Sequence, residues 1–432
     1  MTADQPDRRF VRSFFTTPTA VEGEDTAEML RKAAQVRGMD APDVWVPDNE
    51  DATAPDMRDE GVQNVIDVLS EHGADVPAQI HPRVVWHRDD PETRHRGFQH
   101  MLAMADPDAG AIEHIDGFVV PEVGGLDDWK KADEFITMVE AEHGLEEGRL
   151  AMSPIIESGE AEIGMARLDE EVGKPSNNLE RLFLLVDGQV DYTKDMKATT
   201  PTGEQPEWKE LRHNTSRAAS ANDLVAVDGP YDNIRDVEGY RERMEANRAM
   251  GMTGIWSLTP GQVREANVAP LPDPEPSYLL DVGDDEVPLE RTAEDRFVYE
   301  GEDVLLEQSD GTHRFVVGRD ERELDEDGLH DALLDRTDYV MSMADYVDSM
   351  EEFEAAKERG RGAISLERTA TLVVDGTAVE LTRDRMWDEA TYQAAMTPVS
   401  LFQEVYETRP DQREALEERY GSDLVERALR IG

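Results

Sequence analysis

Eight short apolar runs, each of strand length and most separated by segments with helical spacing, occupy residues 10 to about 270. They are Phe10–Thr17, Val44–Val46, Ala78–Val85, GFVVPEV within Ile112–Val123, Leu150–Ile156, Leu182–Val186, Leu224–Val227 and Gly254–Leu258. Helical patterns at Thr26–Val36, Glu60–Glu71 and Leu126–His143 fall between them. Parallel strands covered on both faces read as apolar runs without polar alternation, because helices bury one face and neighbouring strands the other. A βα alternation sustained over this length predicts an α/β fold, a closed (β/α)8 TIM barrel rather than an open sheet.

Pro270–Pro276 (PLPDPEP) breaks the pattern, since proline-rich segments are stiff and end regular structure. Beyond it, short strands with turns follow, with Asp310-Gly311 as a hairpin turn. The remainder, from about Leu329 to Ile431, reads as mainly helical, interrupted by the β-pair TATLVVDGTAVEL with Asp375-Gly376 at its turn. The expected division is a barrel over 1–275, a β-hairpin-rich insert over 276–325 and a mainly helical C-terminal domain over 326–432.

Charge narrows the setting. Acidic residues number 97 against 44 basic, a net charge of −53, yet 38% of residues are hydrophobic, enough for a sizeable core. A surface this rich in carboxylates repels itself in dilute buffer and is screened in concentrated salt, which points to a halophile. Phosphate binding needs a basic face, so nucleic acid is not an expected partner. Without cysteine, disulfides and thiolate chemistry are excluded. MTADQPDRRFVRSFF lacks the apolar core of a secretory signal and no run has the length of a membrane span, so no membrane partner and a cytoplasmic location are expected.

Chemistry in a barrel of this kind gathers where the strands end. Glu157 closes one apolar run, and Asp191 follows the next after the turn Asp187-Gly188. Two carboxylates at neighbouring strand ends suit a hard cation of the Mg2+ type. The other reading is that both cap the helices that follow, where acids are common. His81, His87, His95 and His100 lack a metal-binding spacing and read as surface or structural residues. Gly124-Gly125 lacks the strand–GxGxxG–helix context of a nucleotide site, and the methionines at 250, 252 and 341–350 read as packing.

Taken in order, the strand ends carry a family pattern: FVRSFFTTP, VPDNEDATAP at 46–55, HPRVV with Arg83, SPIIES with Glu157, GQVDYTKDM with Asp191, VDGPYDNIRDVEGY and GIWSLTPGQVREAN. Together they resemble the citrate lyase β-subunit/HpcH-HpaI/malate synthase superfamily, whose TIM-barrel members handle acyl-CoA carbon–carbon bonds. MWDEATYQAAM at 386–396 is similar to the malate synthase segment that carries a catalytic aspartate ahead of a helix, with Asp388 at that position. Within the superfamily the chain resembles the compact haloarchaeal malate synthases, in which a C-terminal domain lies over the barrel mouth. Glu122, in VPEVGG, departs from the lysine of many relatives and receives no role.

The resemblance implies a Claisen condensation of acetyl-CoA with glyoxylate, followed by thioester hydrolysis to malate and CoA, as in the glyoxylate cycle. It implies Mg2+ on Glu157 and Asp191, glyoxylate held by Arg83 and by Gly188, Gln189, Val190 and Asp191, and Asp388 as general base. Arg83 is the expected partner of the developing enolate, or else forms a structural ion pair with Glu50 or Asp51. Glu50 and Asp51 are expected to steady metal-bound water or Arg83, or else form a hydrophilic turn; Asp388 could also cap the helix from Glu389. The resemblance further implies a homo-oligomer, trimer or hexamer. The alternatives are a malyl-CoA/citramalyl-CoA lyase of the same superfamily and a non-catalytic binding protein on a retained barrel.

Overall fold

A computed structural model describes residues 10–168, 179–197, 208–274, 341–374 and 377–432, together with the backbone of short strands between 277 and 340; side chains of 367–385 are outside the description. Two compact units emerge, Met1–Pro270 with Thr408–Arg413, and Leu271–Glu407 with Glu414–Gly432.

In the first unit strands and helices alternate as β1 (Ser13–Pro18), α1 (Glu28–Ala34), β2 (Val44–Asp48), α2 (Arg58–His72), β3 (Gln79–Ile80), α3 (Pro91–Met104), β4 (Gly117–Val120), α4 (Leu126–His143) and β5 (Ala151–Ile156). They continue as α5 (Gly159–Met165), β6 (Leu184–Asp187), α6 (Gln189–Asp195), α7 (Lys209–Ala221), β7 (Val225–Asp228), α8 (Val237–Ala249), β8 (Gly254–Ser257) and α9 (Pro260–Val268). The parallel sheet runs in the order β3-β2-β1-β8-β7-β6-β5-β4. Closure between β3 and β4 passes through one residue, Arg83, which pairs in parallel with Asp48 on one side and Val119 on the other.

The expected third strand, Ala78–Val85, is therefore shorter than its sequence suggests. Pro82 has no N–H to give a ladder, so regular pairing stops at Ile80 and resumes for Arg83 alone. Asp187 is likewise no turn residue: it is the last residue of β6 and fully buried.

Period-two alternation divides the strands between two cores. Phe14, Val44, Val46, Val119, Ile155, Val186 and Trp256 fill the barrel. Phe15, Trp45, Ile80, Phe118 and Leu185 point outward to the helices. At the floor, the N-terminal end of the strands, Asp43 is enclosed by two arginines. Arg12 donates from Nη2 to Oδ1 (2.8 Å) and from Nε to Oδ2 (2.8 Å), and Arg409 donates from Nη1 to Oδ1 (2.5 Å). Gln412 Oε1 accepts from Arg12 Nη2 (2.9 Å), so the returning 408–413 segment is bonded into the floor.

The second unit contains β9 (Ser277–Val282), β10 (Asp285–Pro288), β11 (Glu290–Arg291), β12 (Phe297–Tyr299), β13 (Glu302–Asp303), β14 (Leu305–Ser309), β15 (Thr312–Val317), β16 (Asp320–Leu324) and β17 (Thr337–Val340). Their described pairings are antiparallel, in the three-stranded groups β10-β9-β17, β11-β12-β13 and β14-β15-β16. Helix α10 (Met343–Glu358) follows, opened by a Ser342–Asp345 capping box that satisfies two end groups at once. Met343, Met350 and Phe353 are buried in this unit. A hairpin of β18 (Ala363–Val374) and β19 (Thr377–Asp388) then leads to α11 (Glu389–Thr408), α12 (Arg413–Tyr420) and α13 (Ser422–Ala428). The hairpin is longer than the sequence pattern indicates and ends on Asp388, paired with Ala363. The turns at Asp310-Gly311 and Asp375-Gly376 lie outside the described residues.

Candidate active site

The C-terminal ends of the barrel strands surround a cleft of about 320 Å³ whose lining includes Asp48, Arg83, Glu157, Gly188–Asp191 and Trp256. Each arrives there for a local reason. Val44 and Val46 face the barrel interior, so alternation carries Asp48 to the same face at the end of β2. Arg83 reaches it from the closure point between β3 and β4. Glu157 follows β5, just before Ser158, whose hydroxyl accepts from the Ala161 N–H (3.1 Å) and caps α5. Asp191 lies in the first turn of α6.

Arg83 is buried and held on three sides. Its Nε and Nη2 donate to Asp48 Oδ1 (2.7 Å) and Oδ2 (2.5 Å) as a bidentate fork. Nη1 lies 3.2 Å from Glu50 Oε2, Nη2 lies 3.6 Å from Asp51 Oδ2, and the guanidinium sits 5.3 Å from the Trp256 ring centroid. Trp256 is itself fixed by donating from Nε1 to Thr16 Oγ1 (2.9 Å). The ion pairs expected with Glu50 and Asp51 are present, but the principal partner is Asp48.

Burial pushes the Glu157 carboxyl well above its ordinary range; Arg83 and a main-chain hydrogen bond from Glu122 oppose this, while Asp191 and Glu50 add to it by repulsion. That hydrogen bond runs from the Glu122 N–H to Glu157 Oε2 (2.7 Å). Gly188 packs so close to Glu157 that a Cβ there would collide with the glutamate's Cγ. Glu50 is also raised by burial, to about 8, with Arg83 pulling it down and Asp51 and Asp48 pushing it up.

Asp191 Oδ1 accepts from the exposed Lys194 (3.1 Å). The Gly188 N–H is committed to the Ile156 carbonyl (3.0 Å), which removes it from the set of expected anion donors. Gln189, Val190 and Asp191 supply the first-turn N–H groups of α6, which have no carbonyl partner inside the helix. The Gln189 side chain is occupied: Nε2 donates to Asp228 Oδ1 (2.6 Å), and Oε1 accepts from Arg243 Nη2 (2.6 Å).

Asp48, Glu50, Asp51, Glu157 and Asp191 thus gather around Arg83, while Lys194 reaches Asp191 from the surface. At this mouth the carboxylates outnumber the two cations, Arg83 and Lys194, and burial, with repulsion between neighbouring acids, raises Glu157 and Glu50. Among the described residues no group of three or more His, Asp or Glu side chains is arranged to hold a metal by itself. Carboxylate oxygens that leave room for water and a ligand fit Mg2+, which keeps several waters and takes one or two carboxylates from the protein.

Asp388 belongs to the second unit. Its Oδ1 accepts from the Thr391 N–H (2.9 Å) and hydroxyl (3.1 Å), the bonds of a cap on α11, and these lower its pKa. The histidines do not converge. His81 is buried and stacked on Phe183 with centroids 5.5 Å apart, and burial lowers its pKa to about 3. His95 pairs with Gln99, and His100 with Asn49 and Asp59. His87 lies 2.9 Å from the Glu122 carboxylate, at the edge of the site.

The sequence profile of the HpcH/HpaI aldolase/citrate lyase family matches residues 24–260. The chain belongs to this family. A second profile, the malate synthase H C-terminal domain, matches residues 278–393, spanning both the short strands and the hairpin that ends at Asp388. Malate synthase of Haloferax volcanii is 67% identical over the full length of both chains. An L-malyl-CoA/beta-methylmalyl-CoA lyase of Haloarcula marismortui is 32% identical over 97% of each. Among solved structures, a magnesium/glyoxylate complex of Haloferax volcanii malate synthase shares 58% identity, with TM-score 0.61, covering 99% of this chain and 100% of that one. A pyruvate/acetyl-CoA ternary complex of the same enzyme shares 62% identity with TM-score 0.61 and the same coverage. In this family setting, the cleft at the strand ends is the candidate active site.

Proposed function

We propose that the chain is a malate synthase that condenses acetyl-CoA with glyoxylate in a Mg2+-dependent reaction and hydrolyses the thioester to malate and CoA. The observation that carries this is one cleft holding Glu157, Asp191 and Arg83, in a chain 67% identical throughout to a malate synthase.

Glu157 and Asp191 hold the cation, and the first-turn N–H groups of Gln189, Val190 and Asp191 hold the glyoxylate carboxylate, as helix starts do for anions. When bound, Mg2+ supplies Lewis-acid polarisation of the aldehyde. Arg83, pinned by Asp48 and Glu50 and unable to lose its proton, presents a fixed positive charge to the enolate oxygen. Preorganised charge of this kind is often the largest single contribution to catalysis, with one donor worth about 3–4 kcal/mol. Asp388 takes a proton from the acetyl methyl group. Its caps from Thr391 fix the carboxylate but make it a weaker base, so proton removal depends on stabilisation of the enolate. The methyl carbon then bonds to the aldehyde carbon, whose C=O π bond opens to an alkoxide that takes up a proton as the malate hydroxyl, and water cleaves the thioester, giving the second carboxyl of malate and CoA as the thiol. Glu50 and Asp51 steady Arg83.

The barrel over 1–275 carries the metal and glyoxylate, and the C-terminal region supplies Asp388, in this reading. It includes a cytoplasmic homo-oligomer, trimer or hexamer, working in concentrated salt. Among the described residues no helix is long and apolar enough to cross a membrane.

The second reading, an acyl-CoA lyase, is favoured by the full-length match to the malyl-CoA lyase, at 32% identity. A free-thiol assay in molar KCl separates the two. We expect CoA release that requires both acetyl-CoA and glyoxylate, lost in Asp388→Asn while Mg2+ and glyoxylate still bind. Accumulation of malyl-CoA without thiol release would establish the lyase instead.

A further inference from the structure

Three consecutive strand-end loops and the end of α6 are tied together by a circuit that passes through Glu157 and whose other members are assigned no chemical step. After β3, the Arg88 N–H donates to the Glu122 carbonyl (3.2 Å). After β4, the Glu122 N–H donates to Glu157 Oε2 (2.7 Å). After β5, the Gly159 N–H donates to Asp195 Oδ2 (3.0 Å) at the end of α6. Asp195 Oδ1 accepts from Arg88 Nη2 (2.6 Å), which returns the circuit to its start.

Glu122 adopts φ 44°, a left-handed conformation that a residue with a Cβ rarely takes. Such backbone persists only where its surroundings over-determine it. Here the carbonyl takes the Arg88 N–H, the side chain takes His87 Nε2 (2.9 Å), and the N–H is aimed at Glu157. The loops are packed as well as bonded, since a Cβ on Gly124 would lie 3.2 Å from both Arg88 Cδ and Glu160 Oε2. Gly188 packs directly against the Glu157 side chain. The carboxylate is therefore fixed by main-chain contacts from two neighbouring loops.

We propose that Arg88, which holds Asp195 by its side chain and the Glu122 carbonyl by its main-chain N–H, is a positioning residue that keeps the Glu157 carboxylate ready for a divalent cation. This rests on the reading of Glu157 as a metal ligand. Residues that orient a ligand from outside alter metal affinity even though they never touch the ion. A loop-packing role alone would alter folding and leave affinity where it was.

The test is a Mn2+ titration of the full chain in molar KCl, followed by the electron paramagnetic resonance of the free ion, with circular dichroism to establish folding. We expect Arg88→Met, which breaks the Asp195 link and keeps the main-chain bond to Glu122, to weaken Mn2+ binding by about 10-fold or more, and Arg88→Lys to recover part of the loss by still reaching Asp195. Glu122→Pro, which removes the N–H and also forbids the positive φ that aims it, weakens binding similarly, whereas Glu122→Gly, which keeps the N–H and adopts positive φ freely, loses less than about three-fold. Folded Arg88→Met and Glu122→Pro with wild-type affinity, alongside a Glu157→Gln variant that loses the ion, would overturn the positioning role and leave the metal site standing. Wild-type affinity in Glu157→Gln would overturn the metal site and, with it, this proposal.

Discussion

At the floor of the barrel, Asp43 is fully buried between Arg12 and Arg409, and every charge there has a partner. Burial alone would raise its carboxyl, but the two arginines reverse this and hold it well below the usual carboxylate range. At the mouth, Arg83 is likewise buried and bonded to carboxylates, yet the acids outnumber it, and Glu157 and Glu50 are pushed upward. One end of the barrel has balanced its buried charge; the other carries a surplus. A balanced cluster holds the chain together, here bonding residues 408–413 into the barrel. A surplus costs folding stability and is relieved by a ligand of opposite sign, so it marks a site.

The two ends should therefore respond oppositely to losing a carboxylate charge. Asp43→Asn leaves two arginines poorly compensated and should destabilise the protein by about 3–5 kcal/mol, read from denaturant unfolding in molar KCl. The sign follows from linkage: a depressed native pKa gives stability above the ordinary carboxylate range that is lost only on strong acidification. Glu157→Gln should instead leave the metal-free protein as stable as the wild type or more so, while CoA release falls by about 100- to 1,000-fold. A loss of stability equal to that of Asp43→Asn would erase the distinction between the ends.

A smaller effect concerns Glu50. Its native pKa of about 8 lies above its unfolded value, so its contribution to stability is complete below about pH 4 and is lost as pH rises through about 8. In metal-free protein, unfolding free energy should decline between about pH 5 and 8, and Glu50→Gln should flatten that decline. An unchanged slope would remove Glu50 from the surplus.

The barrel is legible because its strands are continuous apolar runs, and the gathering of Glu157, Asp191 and Arg83 at one cleft because each follows a strand run. Asp48, the main partner of Arg83, is not among the residues the sequence points to, although it continues the Val44, Val46 alternation onto the interior face. The apolar run Ala78–Val85 overstates the third strand because Pro82 interrupts a run that is otherwise strand-like. Gly188 was expected to offer its N–H to glyoxylate, but long-range register decides that, and the Ile156 carbonyl takes it. The Glu122 contact could not have been read at all, since it depends on a left-handed backbone at a residue that does not advertise one. Asp187 and Asp228 also close strands, but face helices: Asp187 accepts from Thr215 on α7, and Asp228 from Arg243 and Asn247 on α8.

The most direct measurement is the change in thermal midpoint on adding saturating Mg2+ in molar KCl, compared between the two ends. A ligand that binds the folded chain at about 100 times its dissociation constant adds roughly 2.7 kcal/mol. We expect a clear rise for the wild type, the same rise from a lower baseline for the floor variant Gln412→Ala, and no rise for Glu157→Gln. No rise in the wild type, or an undiminished rise in Glu157→Gln, would contradict the assignment of the mouth's surplus charge to a divalent cation.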